Sequence, residues 1–104
     1  MSSPTSRSLE LLRAEGWLVD VVERWIPGAR IRKDLFGIFD LIGIRGTETL
    51  AVQTTSASNV SSRIHKIEDS EHLAKVREAN WKIEAHGWAK RKGRWTCVRR
   101  EDLS

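Results

Sequence analysis

Gly37-Ile38-Phe39-Asp40-Leu41-Ile42-Gly43-Ile44, followed after Arg45-Gly46-Thr47-Glu48 by Leu50-Ala51-Val52-Gln53-Thr54-Thr55, is the stretch that decides the fold of this chain. Both runs are apolar and rich in branched residues, and a short turn containing glycine separates them. They read as adjacent strands, 39–44 and 50–55, joined by residues 45–48. Each strand carries one out-of-place polar residue, Asp40 in the first and Gln53 in the second. A carboxylate at the head of an apolar strand is costly to bury unless it is paired or holds a cation. Two such groups brought together by a hairpin read as a candidate metal site.

A magnesium-type ion takes hard oxygen ligands and keeps several waters. Asp40 offers a carboxylate, Gln53 an amide oxygen, and Thr54 its backbone carbonyl. Asp34 adds a second carboxylate if Leu35-Phe36-Gly37 folds back, with Gly37 supplying the backbone freedom for the turn. An Asp at a strand start also serves as a turn cap, and a Gln within a strand as a plain hydrogen-bonding residue. Both readings stand at this level.

Working outward, Ser6 or Ser8 can cap a helix running to about residue 15, with Leu9, Leu11 and Leu12 as its apolar stripe and Gly16 just past its end. Residues 17–25 alternate as a strand, with Val22 breaking strict period two. Pro27-Gly28 is a turn, and 31–37 lead into the Asp40 strand. Ser56-Ala57-Ser58-Asn59 is a capping loop. Residues 60–67 and 70–79 read as one broken helix or two short ones, interrupted near 68–69. Strand 81–88, the basic turn 90–93 and strand 94–99 close the chain. The order is α-β-β-β-α-β-β, an α/β fold with a central mixed sheet flanked by helices. Residues 1–7 are expected to be a flexible lead, and 8–104 the single domain.

The 104 residues suffice for one modest core. A net charge of +4 and a pI of about 9.7 favour an anionic partner, nucleic acid first, and suit a solubilising surface as well. The lone cysteine, Cys97, excludes an intramolecular disulfide and suits a reducing compartment. No apolar run is long enough to span a bilayer, and the first residues lack the apolar core of a signal peptide. A soluble, cytoplasmic protein with no membrane partner is expected. Lys90, Arg91, Lys92 and Arg94 form a basic cluster suited to phosphate contacts. Arg63 and Lys66, three apart, share one helix face and would meet a phosphate if that face looked at the site. His65, His72 and His86 show no zinc spacing, and Trp17, Trp81, Trp88 and Trp95 read as core and sheet packing before base stacking.

The hairpin pattern around Asp40 and Gln53 resembles the core of the PD-(D/E)XK nuclease superfamily, with its nearest likeness to small Holliday-junction resolvases and short phage-encoded nucleases. The resemblance covers about residues 8–98 and includes the ending around Gly93-Arg94-Trp95. It implies a restriction-endonuclease-like core and a magnesium-dependent DNA endonuclease, with manganese as a substitute. It places Asp40 as a metal ligand and Gln53 where a second acid commonly stands. Thr55 occupies the position of the family lysine, a departure that Lys66, or else Lys33, would repair. Glu10 lies on the first helix without the family's spacing. Branched DNA as substrate and a symmetric homodimer are further implications. Because of Gln53 and Thr55, a nuclease-fold DNA-binding module without chemistry is the alternative.

Overall fold

The computed structural model describes residues 3–104. Helix α1 (Pro4–Ala14) begins where the sequence supplies a reciprocal cap. Ser3 Oγ accepts the Ser6 amide at 3.1 Å, and Ser6 Oγ accepts the Ser3 amide at 2.7 Å. Pro4 occupies the first turn, where its missing N–H is not needed. The cap is therefore Ser3, not Ser6 or Ser8, and residues 4–7 are helix rather than flexible lead. Residues 1 and 2 of that lead lie outside the described residues. The helix ends as expected at Gly16: the Trp17 amide donates to Leu12 at 3.0 Å and the Gly16 amide to Arg13 at 3.1 Å, a Schellman turn.

The single strand expected over 17–25 is two, β1 (Leu18–Val21) and β2 (Arg24–Ile26). The break falls at Val22 and Glu23, where the alternation also fails. Strand β2 leaves the main sheet and pairs only with β3 (Ile31–Lys33), forming a separate antiparallel ribbon. Strands β4 (Leu41–Arg45) and β5 (Glu48–Ser56) form the hairpin, with Arg45 opposite Glu48, so the turn is only Gly46-Thr47. A 3-10 turn (Ala57–Asn59) leads to helices α2 (Val60–Glu68) and α3 (Leu73–Glu78), then strands β6 (Lys82–Arg91) and β7 (Arg94–Asp102). The main sheet runs β1-β4-β5-β6-β7, with β5 and β6 parallel and the other neighbours antiparallel. The α/β class with a mixed sheet flanked by helices is as expected. The order is α-β-β-β-β-β-α-α-β-β rather than α-β-β-β-α-β-β, because of the ribbon and the divided helix.

Two apolar clusters clamp the sheet. On one face, Ala51, Ile83 and Ala85 pack with Val60, Ile67, Leu73 and Val76 of α2 and α3. On the other, Leu41, Leu50 and Val52 pack with Leu12 of α1 and with Trp17. Strand β5 is covered on both sides, so residues 50–55 are buried without alternation. Of the tryptophans, Trp17 and Trp88 are core residues, whereas Trp25 and Trp95 are 56% and 49% exposed. No helix among the described residues is long and apolar enough to cross a membrane.

Helix α2 sits close on the sheet because Gly87 has no side chain. A Cβ there would lie 3.1 Å from Val60 Cβ and 3.2 Å from Ala57 Cα. Gly87→Ala is expected to push α2 outward and destabilise the fold by about 1–3 kcal/mol, the usual effect of overpacking. Urea unfolding with an unchanged midpoint would contradict this close approach.

Candidate metal centre

Asp40 stands one residue ahead of β4, yet its backbone is pinned on both sides. Its N–H donates to Val52 at 2.8 Å, and its carbonyl accepts the Val22 amide at 2.8 Å. This sets the side chain against β5. A single carboxylate oxygen, Oδ2, accepts Gln53 Nε2 at 2.7 Å and the Thr54 amide at 2.8 Å. Asp40 is only 5% exposed and Gln53 1%. The sequence reading gave Gln53 a ligand's amide oxygen; towards Asp40 it turns its nitrogen. Gln53 Oε1 is buried and has no hydrogen-bond partner among the described residues. An unsatisfied buried acceptor costs roughly 1–3 kcal/mol. Thr54 likewise meets Asp40 through its N–H.

Asp34 arrives by the fold-back anticipated from the sequence. The Gly37 amide donates to the Asp34 carbonyl at 3.0 Å, and the Leu35 amide donates to Phe39 at 2.9 Å, closing a tight loop. Phe36 and Gly37 have successive φ values of +55° and +74°. Glycine adopts this left-handed backbone freely and Phe does not. The Phe36 ring meets Trp81 and His72 at centroid distances of 6.1 Å, contacts that help hold it there.

The sequence reading missed a third carboxylate, Glu23, at the break between β1 and β2. One oxygen each of Glu23, Asp34 and Asp40 lies within 4.8 Å of the others. The available signal was the failed alternation at Val22, with an acid directly after it. Read as one continuous strand, 17–25 concealed the place where the chain turns an acid towards the Asp40 strand.

The acids sit in a cleft of about 670 Å³ that the first turn of α1 also lines. Arg63 and Lys66 both line it, so their shared helix face does look at the site. Lys66 Nζ is 3.8 Å from Asp34 Oδ2, and Arg32 lies 3.3 Å from Glu23. Arg63 makes no ion pair among the described residues. Thr55 also lines the cleft, 8% exposed and uncharged. Lys33, Lys90, Arg91, Lys92 and Arg94 do not line it. Lys33 belongs to the β2–β3 ribbon and the other four to the β6–β7 hairpin end, where Arg7 stacks on Trp95 at 3.6 Å.

Burial is the main cause that pushes the Asp40 carboxyl up to about 7. The Thr54 amide opposes the shift, while the charge of Asp34, its hydrogen bond to Asp40, and the charge of Glu23 reinforce it. The folded-state value therefore lies above the ordinary aspartate value of 3.8. The sign follows: this group's stabilisation is complete below the ordinary value and is lost as pH rises to about 7.

A second polar network, also missed from sequence, ties this site to α1 and β7. Thr54 Oγ1 accepts from Ser8 Oγ at 3.1 Å, and Ser8 Oγ lies 2.8 Å from His86 Nδ1 and accepts Trp88 Nε1 at 2.8 Å. His86 Nε2 lies 2.9 Å from Glu84, which accepts Arg100 Nε at 2.8 Å. Arg100 also donates twice to Glu15, at 2.6 and 2.8 Å. Ser8 and His86 have no exposed surface, which suits a structural linkage rather than a nucleophile.

In comparisons with known proteins, no family model matches the chain, and no curated protein or solved structure matches it.

Asp40→Asn keeps an oxygen for both the Gln53 and Thr54 donors and removes the buried charge. Without added metal it is expected to be more stable than the parent by roughly 1–3 kcal/mol at pH 8, the difference shrinking towards zero near pH 4. Denaturant unfolding at both pH values checks this, and a pH-independent difference contradicts it. Ser8→Ala leaves the Trp88 N–H and His86 without their shared partner. It should destabilise by about 1–3 kcal/mol, and a thermal midpoint equal to the parent's would show that the network contributes little.

Proposed function

We propose that this chain is a metal-dependent DNA endonuclease of the PD-(D/E)XK kind, hydrolysing phosphodiester bonds on a restriction-endonuclease-like core. The observation that carries the reading is the convergence of Glu23, Asp34 and Asp40 in a cleft also lined by Gln53, Arg63 and Lys66. The hairpin, the helical crossover and the parallel strand β6 support the fold assignment.

Magnesium, or manganese in its place, fits this all-oxygen donor set, with Glu23, Asp34, Asp40 and Gln53 Oε1 as the residues to hold it. When bound, the ion supplies Lewis-acid charge at a phosphodiester and acidifies water. The chain's own residues do the rest. Arg63, which makes no ion pair among the described residues, holds a non-bridging phosphate oxygen. Lys66 takes the part of the lysine that Thr55 cannot play, steadying negative charge as it develops at phosphorus. Asp40 and Gln53 fix each other through their hydrogen bond, so the ligand set is positioned before substrate arrives. In this reading two copies act on the two strands of branched DNA as a symmetric dimer.

A second reading is a DNA-binding module that has lost its chemistry. It is favoured by the uncharged Thr55 and by the Lys66–Asp34 pair, which engages the replacement cation.

Purified protein incubated with branched, single-stranded and linear duplex DNA plus Mg²⁺ or Mn²⁺ separates the two. Metal-dependent cleavage is expected, falling about 10²–10⁴-fold in both Asp40→Ala and Lys66→Ala. Metal-independent binding with no cleavage of any substrate would overturn the enzyme reading in favour of the module.

A further inference from the structure

The β2–β3 ribbon stands apart from the five-stranded sheet and is held to it by no strand pairing. Residues 24–33 contain Arg24, Arg30, Arg32 and Lys33 and no acid. In the ribbon register Trp25 lies opposite Arg32, so the two share one face, and Arg24 opposite Lys33 shares the other. Trp25 is 56% exposed. Trp95, the other strongly exposed tryptophan, already has its ring covered by the Arg7 guanidinium at 3.6 Å. No side chain stacks on Trp25 among the described residues.

The ribbon is continuous with the acid cluster. A groove lined by Val21, Glu23, Arg24, Trp25 and Arg32 shares Val21, Glu23 and Arg32 with the main cleft. Arg32 pairs with the cluster acid Glu23 at 3.3 Å and lies across the ribbon from Trp25. Glu23 and Trp25 are two residues apart along the chain, so their Cα atoms are at most roughly 7 Å apart. One strand of stacked DNA carries a phosphate about every 3.4 Å, so that span corresponds to one or two nucleotides.

We propose that the β2–β3 ribbon is a single-strand-reading arm: Trp25 stacks on an unpaired base one or two nucleotides from the phosphate held in the cleft, while Arg24, which lines the same groove, and Arg30 at the ribbon's turn contact the backbone. The proposal rests on the nuclease reading of the cleft and adds the class of DNA it takes. Duplex DNA hides its base faces between neighbours, so a free aromatic face selects for a single-stranded segment beside the scissile bond. Arg32 keeps to Glu23 and orients the ring's face of the ribbon. The sequence reading assigned Lys33 to DNA without the ribbon that carries it, and did not single out Trp25.

The test uses full-length protein carrying Asp40→Asn, so that bound DNA is not cut, and fluorescence anisotropy with labelled oligothymidylate and an abasic strand of equal length. Adding Trp25→Ala is expected to weaken oligothymidylate binding roughly 5- to 100-fold, with little change on the abasic strand, and Trp25→Phe should restore most of the loss. Trp25 is exposed, and an unchanged unfolding midpoint will show that the fold is intact. Equal affinity with and without Trp25, or an equal loss on both strands, overturns the arm and leaves the nuclease reading standing. No binding of either strand, or of duplex or branched DNA, by the Asp40→Asn parent or by the unsubstituted protein with Ca²⁺ overturns both.

Discussion

One carboxylate oxygen, Asp40 Oδ2, accepts both the Gln53 amide and the Thr54 backbone amide in the interior of the protein. Those two bonds decide where the β4 entrance meets the middle of β5, and the site is arranged around that junction. The Asp40 carboxylate also lies close to Asp34 and Glu23, one oxygen of each being within 4.8 Å of the others. Burial and like charge both oppose ionisation there, which is why the group holds its proton to about 7. Under the proposed function, a divalent cation at the cluster would offset both penalties.

The same strand connects the acid cluster to the rest of the molecule. Thr54 donates its backbone amide to Asp40 and accepts from Ser8 at its hydroxyl oxygen, so two groups of one residue join the site to α1. From Ser8 the chain of hydrogen bonds runs through His86, Glu84 and Arg100 to Glu15 at the other end of α1. Helix α1 is thus held to the sheet by polar contacts at two points and by Leu12 packing between them. Its first turn forms a wall of the cleft, so the rigidity of this network bears on the shape of the site.

What could be read from sequence was what depends on neighbours along the chain. The hairpin, the meeting of Asp40 with Gln53, the Asp34 fold-back at Gly37 and the common face of Arg63 and Lys66 all follow from local periodicity and turn residues. Glu23 did not, because recognising it requires knowing that β1 ends at Val21 and that the following residues leave the sheet. Ser8 and His86 looked like ordinary polar residues on a helix and a strand; their partners lie 46 and 78 positions away from Ser8. The amide orientation of Gln53 was equally out of reach, since it depends on which atom of Asp40 the β5 backbone has already engaged. The ribbon was hidden for the same reason as Glu23: a largely apolar run carrying Asp20, Glu23 and Arg24, with no marked turn before Pro27, reads as one strand.

Calorimetric titration of the metal-free protein with Mn²⁺ at pH 8 and pH 6 tests most directly whether the acid cluster holds a divalent ion. Saturable binding is expected at pH 8, weakening about tenfold per pH unit below 7 with release of close to one proton per ion, because Asp40 must ionise to ligate. It should be lost in Asp40→Asn. Absence of binding at pH 8, or an affinity that is the same at both pH values and survives Asp40→Asn, would contradict the assignment of this cluster as a metal centre.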